Sequence, residues 1–298
     1  MRIIVTHMSP DWDAITSVWL IKKYLSGWQE AEVKFVPAGQ RLGNKDGLKI
    51  EDPVEKIGDD EVIQVDTGLG PLDHHQIQDD HVSAASRTWE YVLSQLSQAN
   101  DKMTAEHKEA VSRIVKIVVA IDHFKEVFWH EAAADHYEFS LLGVLEGLKY
   151  EKPGQDNHYL TFGIVCLNAL TAEFENRIWA EKEISEKGVK FSTRFGEGIG
   201  FETLNDTVLK LSQKMGYVIV VRKDPRKGYV RIKTLPDQKD KKGADLTVTY
   251  EQLKKMDPEA TWFLHVSKKM LLNGTPKNPK MIPTKLTLRE IISVLEKI

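Results

Sequence analysis

The chain opens on an apolar, β-branched run, Arg2–Thr6 (RIIVT), with the texture of a buried strand, and breaks at His7–Pro10. Beyond the break Ala14, Val18, Ile21 and Leu25 recur at helical spacing. Pro10 and Asp11 suit the start of that helix, because proline forfeits no needed N–H there and an acid favours the positive end of the dipole. Ala31–Val36 and Glu61–Val65 (EVIQV) read as further strands, and Ser83–Gln98 and Thr104–Ile121 as helices. Strands alternating with helices predict an α/β fold whose parallel sheet carries helices on both faces. A long helical pattern follows from about His158 to Lys187, with Phe162, Cys166, Leu170 and Phe174 roughly on one face.

The texture then changes to that of a smaller α+β domain. Tyr217–Arg222 and Tyr229–Thr234 read as a hairpin around Asp224–Gly228, Trp262–Val266 as a strand and Leu286–Ile298 as a closing helix. Pro236–Gly243 reads as a charged exposed loop, and the glycine-rich Phe195–Phe201 (FGEGIGF) as a plain loop. The expected organisation is an N-terminal domain over 1–155, a helical connector over 156–190 and a second domain over 191–298. The chain has 298 residues, enough for two cores. With 41% hydrophobic residues and no long apolar run, it fits neither a disordered nor a membrane-spanning class. The start turns acidic too soon for a signal-peptide core, and one cysteine, Cys166, leaves no internal disulfide or cysteine zinc site. The expectation is a soluble cytoplasmic protein.

The net charge of −3 hides an asymmetry. Residues 1–80 hold 15 acids against 8 bases, whereas residues 222–242 hold 9 bases against 3 acids. Bound cations can hold an acidic front together, and a basic segment attracts phosphates. The acids fall in a pattern with the histidines: His7-x3-Asp11-x-Asp13, Asp66 in QVDTG, the triplet Asp73-His74-His75, and Asp122 in VVAIDH. His7 and Asp66 each stand at the end of a predicted strand, where open α/β sheets place their ligands. Carboxylate with neutral imidazole suits a divalent ion of intermediate hardness such as Mn²⁺. Two such ions ~3.5–4 Å apart clamp the attacking and leaving oxygens of a phosphoryl group.

In this order the motifs THMSPDWDA, VDTG, DHHQ and AID resemble the four defining motifs of the DHH phosphoesterase superfamily. The resemblance implies His7 and Asp11 on one metal, Asp13, His74 and Asp122 on the other, and Asp66 bridging both. It implies catalytic roles for Asp66, for His75 facing the substrate phosphate, and for Asp73 orienting its neighbours. The implied cofactors are two divalent ions, Mn²⁺ first, with Mg²⁺ or Co²⁺ as alternatives. Trp12 departs from the pattern, since many members carry glycine there. The second half, through TFGIVCLNALTAEFENRIWAEKEI, YVIVVRKDPRKGYVRIKTLP and ATWFLHVSKKMLLNGTPKNP, is similar to the melanocyte-proliferating-gene (Myg) branch, which includes 3′–5′ RNA exonucleases.

From the residues themselves, His265, Lys268 and Lys269 in HVSKKMLLNG are candidates for gripping phosphate oxygens, and Arg222 and Arg226 for tracking a nucleic-acid backbone. The expected activity is a two-metal phosphoesterase, a 3′–5′ exonuclease on RNA or short oligonucleotides. A manganese-dependent inorganic pyrophosphatase, a cyclic-dinucleotide phosphodiesterase and a non-catalytic nucleotide-binding module stay open as alternatives. Among the other histidines, His123 adjoins Asp122, while His81, His107 and His158 show no partner pattern.

Overall fold

The computed structural model describes residues 1–43, 50–239, 243–274, 278 and 280–298. The end of the basic stretch at 240–242, and residues 275–277 and 279 of the ATWF…TPKNP segment, lie outside the described residues. The chain divides into two compact units, Met1–Glu175 and Asn176–Ile298.

The N-terminal unit runs β1 (Arg2–His7), α1 (Trp12–Tyr24), β2 (Glu32–Val36), β3 (Val54–Ile57), β4 (Asp60–Gln64), α2 (Ala84–Gln98), α3 (Ala105–Asp122), a 3-10 turn (Lys125–Phe128) and α4 (Leu141–Glu151). It then enters α5 (Asp156–Lys187). The strand order is β2-β1-β4-β3, with β1 parallel to both neighbours and β3 antiparallel to β4. β1 is therefore central and buried on both faces, which is why it reads as an unbroken apolar run. Local chemistry fixes the helix starts. The Asp11 side chain accepts from the N–H groups of Asp13 and Ala14, Ser83 forms a reciprocal capping box with Ser86, and Thr104 accepts from His107 N–H.

Ile4, Ile63 and Val65 face one large core made with α1, α2, α3 and the first part of α5, through residues such as Val18, Trp89, Val111 and Tyr159. Every residue from Trp12 to Ile21 is buried, so α1 is enclosed rather than amphipathic. The other sheet face buries Ile3, Val5 and Val62 against Val36, Leu42 and Ile57, which are strand and loop residues. The expectation of helices on both faces is corrected here. Among the described residues α1 is the only helix between strands of this sheet, so a single crossover supplies one helical layer and a hairpin completes the sheet.

The C-terminal unit contains the end of α5, then β5 (Val189–Thr193), β6 (Gly196–Glu202), α6 (Thr207–Lys214), β7 (Ile219–Lys223), β8 (Val230–Thr234), α7 (Thr247–Met256), β9 (Trp262–Leu264), β10 (Met270–Asn273) and α8 (Leu288–Leu295). Its six strands lie in the order β5-β6-β7-β8-β10-β9 and are antiparallel except for β6 with β7. Ile219, Val221, Ile232 and Leu271 pack with α7 and α8 on one face. Ile199, Phe201 and Val220 pack with α6 and with Ala180 and Ile184 of α5 on the other.

The FGEGIGF segment is a strand, not the loop that its glycines suggest. A Cβ on Gly198 would lie 2.4 Å from the Phe191 ring, and one on Gly200 2.9 Å from Ile292 in α8. The glycines are there because neighbours approach the backbone, a meaning that composition alone does not carry. Among the described residues no helix is long and apolar enough to cross a membrane.

Gly198→Ala is expected to destabilise the fold by ~1–3 kcal/mol through overpacking. Gly147→Ala, at an exposed site on α4 where a Cβ meets nothing within 4 Å, is expected to stabilise it by ~0.5–1 kcal/mol. Chemical denaturation of the two variants beside the parent protein checks both signs.

Candidate metal centre

Strand register builds the site. Val5 pairs with Gln64 across the parallel β1–β4 ladder, so His7 and Asp66, two residues further along each strand line, emerge at the same sheet edge. Asp11 and Asp13 come from the start of α1, which begins directly beyond that edge. Asp66 sits in the left-handed region at φ 53, a strained placement for a residue with a Cβ, and its N–H donates to Leu72 C=O to close the loop. The turn that follows delivers Asp73, His74 and His75, and Asp122 is the last residue of α3.

The six sequence-predicted ligands converge. His7 Nε2 lies 3.2 Å from Asp66 Oδ2 and 3.8 Å from Asp11 Oδ2. His74 Nε2 lies 3.6 Å from Asp66 Oδ1, 3.7 Å from Asp13 Oδ2 and 3.5 Å from Asp122 Oδ2. The two oxygens of Asp66 therefore face two different groups of ligand atoms. Asp66 Oδ1, His74 Nε2 and Asp122 Oδ2 are all buried without a hydrogen-bond partner. Buried polar atoms are almost always paired, so orphaned carboxylate oxygens on either side of an orphaned His74 Nε2 form a cluster that could hold a cation. Donors bound ~2.0–2.2 Å from a common ion lie ~3.0–3.6 Å apart, close to the spacing seen. The donor set fits a divalent metal.

Supporting contacts hold His7, Asp13 and the residues beside the cluster. His7 Nδ1 donates 2.8 Å to Met8 C=O, which aims Nε2 at the cluster. Asp13 is nearly fully buried and accepts from Ser83 Oγ at 2.6 Å and from the N–H groups of Ala84 and Ala85, each at 2.8 Å. It thus joins the start of α1 to the start of α2. Asp73 accepts from His75 Nδ1 at 2.7 Å and from Leu69 N–H at 2.7 Å, so it orients His75, whose ring is largely exposed. His123 Nε2 donates 2.9 Å to Val82 C=O and stands 3.7 Å from Asp122.

Crowding shows in the proton affinities. Burial and then the Asp122 charge push Asp13 up to about 7, and burial with the Asp11 charge pushes Asp122 up to about 6. Burial lifts Asp66 well above the carboxylate range. Burial lowers His7, but the hydrogen bond to Asp66 and the Asp11 charge outweigh it and hold His7 at about 9. Burial lowers His74, keeping its imidazole neutral and ready to donate a lone pair. For Asp73 burial is outweighed by the bonds from His75 and Leu69, which keep the carboxylate ionised. Without a cation the cluster holds extra protons.

A cavity of about 620 Å³ opens on the cluster, lined by Asp11, Asp13, His74, His75, Asp122 and His123, and also by Phe124, Glu126 and Glu146. Sequence reading missed the last three, which carry no motif of their own. The Glu126 position follows Asp122 by a helical turn, the one signal available. Elsewhere in the unit His107, which shows no partner pattern in the sequence, bonds to Tyr24 Oη at 2.8 Å and Glu175 at 2.6 Å and so ties α1, α3 and α5 together.

The basic residues expected to meet substrate are mostly engaged within the C-terminal unit. Arg222 is buried, lies 2.7 Å from Asp206 and donates 3.0 Å to Thr203 C=O; its assignment as a backbone-tracking residue is corrected, because β7 points it inward. Lys269 donates 2.6 Å to Gly243 C=O and pairs with Asp237 at 2.9 Å, so it too is structural. His265 accepts 3.2 Å from Ser267 N–H and bonds Ser267 Oγ, organising the β9–β10 turn in which Lys268 takes φ 58. Lys268 is exposed, 3.4 Å from Asp245. Arg226 remains exposed at the β7–β8 turn, where its backbone N–H donates to the Asp224 side chain.

No family model and no curated protein sequence matches the chain. Among solved structures it is similar to an uncharacterized protein from Helicobacter pylori G27, with a TM-score of 0.24 and 9% identity over 99% of this chain and 98% of that one. It is also similar to RecJ in complex with Mg²⁺ from Thermus thermophilus, with a TM-score of 0.29 and 10% identity over 99% of this chain and 49% of RecJ. Both likenesses are too distant to bear on the chemistry, which rests on the residues above.

Between pH ~4 and 7 Asp13 and Asp122 bind more protons folded than unfolded, and between ~6.5 and 9 His7 does the same. The cluster therefore weakens the metal-free fold as pH rises. In chelator, the parent protein should lose thermal stability relative to Asp122→Asn as pH goes from 5 to 8, and Mn²⁺ should reverse that trend. A gap independent of pH would refute the assignment of those protons to the cluster.

Proposed function

We propose that this protein is a two-metal phosphoesterase that hydrolyses phosphodiesters, acting as a 3′–5′ exonuclease on RNA or short oligonucleotides. The observation that carries the reading is Asp66, whose two oxygens face separate sets of ligand atoms, with buried orphan donors around one of them. His7 and Asp11 would hold one ion, and Asp13, His74 and Asp122 the other, with Asp66 shared. The order of the four motifs, which resembles that of the DHH superfamily, supports the same division. When bound, two Mn²⁺-type ions supply positive charge for the phosphoryl oxygens and lower the pKa of water to give a nucleophile near neutral pH.

The chain's own residues do the rest. Asp73 holds His75 through Nδ1 and leaves Nε2 free to meet a non-bridging phosphate oxygen, to which it donates when the ring carries both protons. His75 is exposed, as a residue that meets an incoming substrate must be. Asp13 anchors α1 to α2, so the ligand set keeps its spacing without the cation. Arg226 and Lys227 are exposed on the β7–β8 turn, where their charges can attract a polyanion. A pyrophosphatase would call on cations such as Lys268 and Lys269 to grip its phosphates, and Lys269 is engaged with Gly243 C=O and Asp237. A nucleotide-binding module without catalysis would have no need of six converging ligands.

Hydrolysis of a 5′-labelled RNA oligomer, its DNA counterpart, a cyclic dinucleotide and pyrophosphate, each with Mn²⁺ and with chelator, tests the reading. A metal-dependent ladder from the RNA is expected. It should vanish in Asp66→Asn and fall ~10–100-fold in Asp73→Asn, the usual effect of losing a residue that orients a ligand or its neighbour. A fully active Asp66→Asn protein would contradict the shared-ligand role, and turnover of pyrophosphate alone would replace the nuclease with a pyrophosphatase.

A further inference from the structure

The cavity beside the metal-type cluster has a mixed lining. The histidines and aspartates share it with the apolar side chains of Trp12, Ile121, Leu142 and Leu145 and with the largely exposed Phe124. Its volume of about 620 Å³ falls within the ~300–1,000 Å³ of sites for small organic ligands. A bare inorganic phosphate or pyrophosphate gains nothing from an apolar wall and is destabilised by losing water beside it.

Phe124 is the member that sequence and packing explain least. It takes φ 53, a rare conformation for a bulky residue, and the residue is 74% exposed. Core packing does not account for the strain, and strain of this kind collects where a side chain must be presented. The same turn that ends α3 at Asp122 places Phe124 two residues later at the mouth of the cavity. Two residues further, Glu126 lines the cavity and keeps Oε2 buried without a hydrogen-bond partner. A buried acceptor without a partner suits a ligand that brings a donor.

We propose that this apolar part of the lining, with Phe124 and Glu126, is the subsite for the base of a phosphorylated nucleoside. Phe124 stacks on the base, and Glu126 accepts from an N–H or O–H of the nucleoside while its phosphate meets the metal-type cluster. The inference rests on the phosphoester reading above and narrows it to substrates with a planar group next to the reacting phosphate.

Binding to the full-length protein in Mn²⁺, measured by calorimetry, separates the two ideas. The probes are adenosine 5′-monophosphate and ribose 5-phosphate, which share a phosphate and a sugar and differ in the base. The parent protein should bind the nucleotide ~10-fold or more tightly than the sugar phosphate, the scale of one base stacked on an aromatic ring. Phe124→Ala should collapse that difference and Phe124→Tyr should retain it, with thermal unfolding confirming that the variants fold. Equal binding of the two probes by the parent protein, or a preference that survives Phe124→Ala, would overturn the subsite and leave the phosphate site standing. Failure of the parent protein to bind either probe would overturn the phosphate site and the subsite with it.

Discussion

Four aspartates and two histidines at one sheet edge present the problem around which the N-terminal unit is built. Burial first, and neighbouring carboxylate charge after it, raise the proton affinities of Asp13, Asp66 and Asp122, groups that cannot all ionise together in a buried place. A cation held among these groups would resolve that conflict. The orphaned oxygens of Asp66 and Asp122 and the orphaned Nε2 of His74 are what the conflict looks like with only protein atoms to satisfy it.

Much of the surrounding architecture follows from holding those groups in place. The parallel pairing of β1 with β4 brings His7 and Asp66 out at one level. Asp11 uses one oxygen to cap α1 and turns the other toward His7. Asp13 accepts three hydrogen bonds from the start of α2, two of them from backbone N–H groups, so the carboxylate is not left to a flexible partner. α1 is buried along ten consecutive residues, which leaves its first turn little freedom to shift. Rigid elements carry the ligands, while His75, the exposed member, sits on a turn.

Sequence reading reached this site because its signals are local. Helix caps at Asp11, Ser83 and Thr104, and polar residues placed just after apolar runs, can be read within a few positions. What stayed hidden depends on distant partners. The glycines of β6 look like a loop until Phe191 and α8 are seen against them. Arg222 looks like a phosphate ligand until Asp206 is found beside it, and Lys269 until Gly243 and Asp237 are. The short β3 is an edge strand whose pairing comes from a hairpin with β4 rather than from a pattern of its own. Phe124 and Glu126 enter the cavity through an unusual backbone turn, and no periodicity announces one.

The central claim is that Asp66 is shared between two cations. Titration of the metal-free protein with Mn²⁺ by calorimetry, with bound manganese counted after dialysis, tests it most directly. Two ions per chain are expected, with both lost or severely weakened in Asp66→Asn, because the substitution removes a ligand from each. A parent protein that binds no manganese, or an Asp66→Asn protein that binds both ions as tightly as its parent, would contradict the account.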